Sequence, residues 1–91
     1  MGSILLKMMA HMRNVVGPRV RLARKQAVPK ISQEDLCARL QVLGLQMERP
    51  AISKIETDYR EVTDKEVLAL AKALGVSAAW LLGESDKPTP E

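Results

Sequence analysis

The stretch RPAISKIETDYREVT, residues 49–63, decides how the rest of this chain is read. Ile52 and Ile55 stand three apart, so both fall on one side of a helical turn. Pro50 is tolerated only near a helix start, and the turn signals at Thr57-Asp58 end the element. A helix of roughly nine residues does not persist alone, so its neighbours must hold it through Ile52, Ile55 and Ala51. Arg49, Ser53, Lys54 and Thr57 are left on other sides. Such an element is either an ordinary surface helix or one held out to touch something.

Upstream lies SQED, a helix start. Ser32 can cap, and Asp35 stands where a capping box needs its acid. Leu36, Leu40 and Leu43 follow at i, i+4 and i+7, joined by Cys37, and Gly44 suits a left-handed stop. Leu45 and Met47, in the connection beyond it, can still reach a core. Further upstream, Gly17-Pro18 opens a helix with Val16, Val20, Ala23 and Ala27 on one face, and Pro29 ends it at or before Val28. Downstream, TDKE repeats the capping box at Thr63. The stripe Val67, Leu70, Ala71, Leu74 runs to Gly75, and Ser77 caps a last short helix ending at Gly83. The reading is five helices, all-α, with no internal repeat. The chain divides into a mobile or dimer-contacting arm at 1–15, a helical domain at 16–83 and a disordered acidic tail at 84–91.

Composition agrees and excludes. The chain has 91 residues, 46% of them apolar, with no Phe, one Trp and one Tyr. An aliphatic chain of this size makes one small domain and suits helices better than a sandwich or barrel. Cys37 has no partner for an internal disulfide and reads as a small buried residue of a reduced, cytoplasmic protein. With His11 the one histidine, no metal cluster or Ser-His-Asp set is available, and no glycine loop cradles phosphate. An enzyme is therefore not expected, nor any cofactor. The opening MGSILLKMMAHM is broken by Lys7 and His11, too short to span a bilayer, and lacks a signal-peptide cleavage site.

The net charge is +3, and its placement says more. Lys7, Arg13, Arg19, Arg21, Arg24, Lys25 and Lys30 all precede the first acid, Glu34. Such a run suits approach to nucleic acid or an acidic membrane surface, and equally suits a solvated basic face. The quoted stretch is locally acidic. Periodicity alone fits a plain five-helix bundle with a polar surface. It also fits two packed helices joined by a tight connection, the second short and polar outside, which is the helix-turn-helix arrangement.

Three segments in order, SQEDLCARL (32–40), ISKIE (52–56) and LALAKALGVSAAWLLG (68–83), resemble the phage repressor and Cro family of helix-turn-helix regulators, the XRE-like family. The resemblance covers roughly residues 16–83. It implies a five-helix, lambda-repressor-like fold and sequence-specific binding of double-stranded DNA by a transcriptional regulator, expected to be a dimeric repressor. Carried over residue by residue, it puts Arg49, Pro50, Ser53 and Lys54 on the outer face of a recognition helix. Arg49 and Lys54 can donate to guanine O6 and N7. Gln33, Thr57, Tyr59 and Arg60 take phosphate-contact positions, and Glu56 pairs with Arg24 in a structural ion pair. Trp80 is read as packing between the last two helices. The connection QVLGLQMER departs from the family by being longer, which implies either an extra turn on the preceding helix or a loop. Dimer contacts are expected from Leu81, Leu82 or the arm from Ile4 to Met12. The alternative function is an antitoxin-like or anti-regulator module that keeps the fold and binds a protein partner.

Overall fold

Six α-helices and no strand are present among residues 3–89, the part of the chain that the computed structural model describes. They are α1 (Ser3–Met9), α2 (Gly17–Gln26), α3 (Gln33–Val42), α4 (Arg49–Glu56), α5 (Asp64–Leu74) and α6 (Ala78–Leu81). No helix in it is long and apolar enough to cross a membrane.

The starts of α3 and α5 use one device. Ser32 Oγ accepts from the Asp35 N–H at 2.9 Å, and the Asp35 carboxylate accepts from the Ser32 N–H at 3.0 Å. Thr63 and Glu66 repeat the exchange at 3.2 and 2.9 Å. Each box satisfies two backbone donors that a helix start leaves open. The bond to the Ser32 backbone N–H also holds the Asp35 carboxyl below the usual carboxylate range.

The ends share a second device. After α3, the Leu45 N–H reaches back to the Leu40 carbonyl at 2.9 Å and Gly44 N–H to Gln41 at 3.0 Å, with Gly44 at φ 90°. This six-to-one closure stops α3 at Val42 and makes Leu43–Glu48 a loop rather than an extra helical turn. Leu43 is consequently outside the stripe expected of it, at 46% exposure, while Met47 in the same loop is buried. After α4 the closure recurs, from the Tyr59 N–H to the Lys54 carbonyl at 2.7 Å, but the left-handed residue is Asp58 at φ 64°.

Leu36, Leu40, Ile52, Ile55, Leu70, Leu81, Val16 and Val20 form the completely buried centre. α2 packs on α4 and α5, α3 packs on the same two, and α6 closes against α5. α4 therefore lies across α2 and α3, seated by two isoleucines with no exposed surface. Cys37 is half-buried against this core rather than inside it, and burial pushes its thiol pKa up.

Both ends carry structure of their own within the described residues, which leave out 1–2 and 90–91. The arm contains α1, whose Ile4, Leu6 and Met8 are exposed. Residues 84–89 run back along α6, and the Ser77 N–H donates to the Pro88 carbonyl at 2.8 Å. Arg19 ties that return down by donating to the carbonyls of Trp80 and Ser85 at 2.7 and 3.0 Å. Its guanidinium lies 4.8 Å from the Trp80 ring centre, a cation–π contact over a buried indole. A backbone that finds internal donors and acceptors need not stay solvated, whatever its proline and acid content. Leu81 is wholly buried and so offers no surface to a second copy, whereas Leu82 is 44% exposed.

Candidate nucleic-acid interface

The polar side of α4 follows from its buried one. With Ile52 and Ile55 turned inward, Arg49, Pro50, Ser53 and Lys54 are all exposed. The first three line a shallow notch on the surface. Beside it an open cleft of about 470 Å³ runs between the start of α3, the outer face of α4 and the later turns of α2. Gln33, Ser53 and Thr57 line it from one side, and Arg21, Arg24 and Lys25 from the other.

A polar ladder holds the cleft floor. Arg24 grips Glu56 with two parallel bonds, Nε to Oε2 at 2.7 Å and Nη2 to Oε1 at 2.8 Å. The remaining Nη1 donates to the Ile31 carbonyl at 3.1 Å. Both side chains are nearly buried, at 10% and 4% exposure. The hydrogen bond to Glu56 holds the Arg24 guanidinium yet more firmly protonated than usual. Gln33 extends the ladder, its Nε2 donating to Glu56 Oε1 at 3.3 Å and to Ser53 Oγ at 3.2 Å. α2, α3 and α4 are thus joined at one point, which fixes the pitch of α4 against the body.

Above the floor the residues diverge. Arg49 Nη1 donates to Glu34 Oε1 at 3.0 Å. Lys54, Arg21 and Lys25 are exposed and have no ion-pair partner among the described residues. Thr57 Oγ1 donates to the Ser53 carbonyl at 2.7 Å, and Tyr59 is 71% exposed in the following loop. Arg60, read in sequence as a phosphate contact, is directed into the fold. Its Nη2 donates to Glu66 Oε2 at 3.0 Å, and its Nη1 is buried without a partner. The loop after Asp58 turns this arginine toward the start of α5 and leaves 31% of its side chain exposed.

Sequence reasoning missed the residues that lock the far end of α4. Asp58 Oδ1 accepts from the backbone N–H groups of Arg13 and Asn14 at 2.8 and 2.9 Å. In return the buried Asn14 Nδ2 donates to the carbonyls of Ile55 and Arg60 at 3.1 and 2.9 Å. Asn14 Oδ1 also accepts from the Gly17 N–H at 2.8 Å. Only one signal pointed here, an Asp just past a helix end, where Asn and Asp tolerate left-handed backbone. The locally acidic character of the segment also changes meaning, since two of its acids, Glu56 and Asp58, face internal donors, as does Glu66 just beyond it. Arg21 and Lys25, four apart on α2, were visible as part of the basic run but not as a pair on this cleft.

Residues 20–81 match the helix-turn-helix family. No curated protein and no solved structure matches the chain.

Proposed function

The chain belongs to the helix-turn-helix family of phage repressor and Cro-like DNA-binding transcriptional regulators, and from that premise we propose that it is a repressor that reads its operator with α4 in the major groove. The observation that carries this reading is the two-sidedness of α4. Two isoleucines and the Arg24–Glu56–Gln33 ladder fix it rigidly, while Arg49, Pro50, Ser53 and Lys54 face outward. A reading element must be held this firmly, because a base-edge hydrogen bond tolerates little error in position.

Arg49 and Lys54 donate to guanine O6 and N7, Ser53 reaches a base or a phosphate, and Pro50 offers an apolar contact to a thymine methyl. Gln33, Thr57 and Tyr59 fix register on the backbone, with Arg21 and Lys25 adding charge from α2. One such module covers too little DNA for high specificity, so the protein acts as a dimer on paired half-sites. The exposed Ile4, Leu6 and Met8 of α1, with Leu82, are the surfaces offered for that contact. The same apolar helix favours a second reading, in which α1 binds a different protein and regulates through it.

Selection from a random duplex pool at two salt concentrations separates the readings. The expected product is a two-fold-symmetric site, weakened by salt and lost in an Arg49→Ala/Lys54→Ala double variant. Selection of the same site by the double variant would remove α4 as the reader. Absence of enrichment at both salts would overturn specific DNA binding and leave the protein-partner reading.

A further inference from the structure

The Glu34–Arg49 pair contributes nothing obvious to the fold. Both side chains are mostly exposed, at 73% and 60%, and one bond of 3.0 Å joins them. An exposed pair of this kind adds little stability. What it fixes is direction. Arg49 is the first residue of α4, where the positive end of the helix dipole disfavours a cation. Left alone, its long side chain would spread over many rotamers. Glu34, in the first turn of α3, supplies the compensating carboxylate from across the cleft.

The atom used matters. A guanidinium has more than one edge, and Arg24 presents its Nε–Nη2 edge to Glu56 as two parallel donors. Arg49 gives Glu34 only an Nη1 proton. Its own Nε–Nη2 edge stays whole, two parallel donors in the geometry that guanine O6 and N7 accept.

We propose that Glu34 is a positioning residue for base reading. It aims Arg49 so that Nε and Nη2 meet O6 and N7 of one guanine in each half-site, and thereby sets specificity at that base pair. This rests on the DNA reading above. It also has a recognisable electrostatic side effect. A carboxylate beside the duplex repels phosphates, so Glu34 raises discrimination while lowering affinity for DNA in general.

The test uses the full chain and a duplex selected by it from a random pool, with every base pair of one half-site changed in turn. Binding is read by fluorescence anisotropy at fixed salt for the wild type, Glu34→Ala, Glu34→Gln, Arg49→Ala and the Glu34→Ala/Arg49→Ala double variant. At one G·C pair the wild type should discriminate by about tenfold or more, and Arg49→Ala should abolish that preference. Glu34→Ala should lower it several-fold at that pair alone, while tightening binding to an unrelated duplex. Glu34→Gln keeps an acceptor oxygen and should restore part of the preference. In the Arg49→Ala background, Glu34→Ala should change no base preference. The proposal is overturned if Glu34→Ala scales every duplex equally, or if it alters base preference without Arg49. If the wild type selects a site whose base preferences all survive Arg49→Ala, this inference falls and DNA reading stands. If the wild type selects no duplex, the DNA reading itself falls.

Discussion

A methyl group on Gly17 would meet the backbone carbonyl of Ile55, the last turn of α4. A carbonyl inside a helix cannot swing aside as a side chain can, so Gly17→Ala must push α2 and α4 apart. The cost of such overpacking is about 1–3 kcal/mol. In a chain of this length each kcal/mol lowers Tm by about 4–8 °C, which thermal melts followed by circular dichroism would read. A wild-type Tm in the variant would mean that the two helices separate freely. Glu66 gives a second prediction at this scale. Its partial burial raises the carboxyl pKa, but the Thr63 backbone bond and Arg60 outweigh it, so the net direction is down. A carboxyl lowered in the fold stabilises above its unfolded pKa of about 4.3 and loses that contribution as pH falls through the lower folded value. Glu66→Gln should therefore be less stable than the wild type at neutral pH, and the gap should close in acid. Urea melts across that range check it, and a gap independent of pH would count against the charge. Neither Gly17 nor the Asn14–Asp58 exchange was legible in the sequence. Their reason for being where they are is a contact with residues far along the chain, 41 positions away between Asn14 and Ile55. No local pattern encodes such a contact.

At the scale of elements, α4 is the test of what holds a short helix. Eight residues cannot sustain it, so its stability is lent by α2 and α3. The Arg24–Glu56 pair is a large part of that loan. Removing one partner leaves the other charge buried, and after Arg24 is lost the Ile31 carbonyl has no donor in its place. Arg24→Met and Glu56→Leu should each cost about 3–5 kcal/mol, and the double variant should cost far less than their sum, since apolar pairs replace buried ion pairs readily. Denaturant melts of the three variants complete the cycle, and simple additivity would show that the pair does not act as one. The elements themselves were well marked in the sequence. Ser32, Thr63 and Ser77 all cap as their positions indicate, because capping is decided within four residues. Gly44 and Gly75 stop helices for the same local reason. α1 was not legible. Its apolar residues have no polar face to set a period. The return of residues 84–89 was hidden too, since its partners Arg19 and Ser77 lie far off or are already used as a cap.

For the whole molecule the question is how charge is distributed once internal pairs are set aside. The formal net charge of +3 understates the cleft. Glu56, Glu66 and Asp58 face internal donors, and Glu34 faces Arg49, while Arg21, Lys25 and Lys54 stand without ion-pair partners among the described residues. Arg21 and Lys25 line one concave surface formed by α2, α3 and α4, and Lys54 is exposed on α4 itself. Such an arrangement should bind DNA with strong salt dependence whatever its sequence. Each phosphate neutralised contributes about 0.9 to the slope of log affinity against log salt. Arg21→Ala with Lys25→Ala should therefore flatten the slope by roughly 2 for one protomer bound, and by roughly 4 if two bind as a dimer. Base preference at every position should survive, because phosphate contacts carry no sequence information. Lys72, exposed on α5 beside Arg39 and Leu43 at the other end of α3, is the control, and Lys72→Ala should leave the slope alone. Titrations of one selected duplex over a range of salt concentrations give the slope directly, and its size reports the number of protomers on the site. A slope unchanged by losing Arg21 and Lys25 would mean that α2 does not approach the phosphates. The duplex would then have to cross α4 at an angle that leaves this cleft open to water.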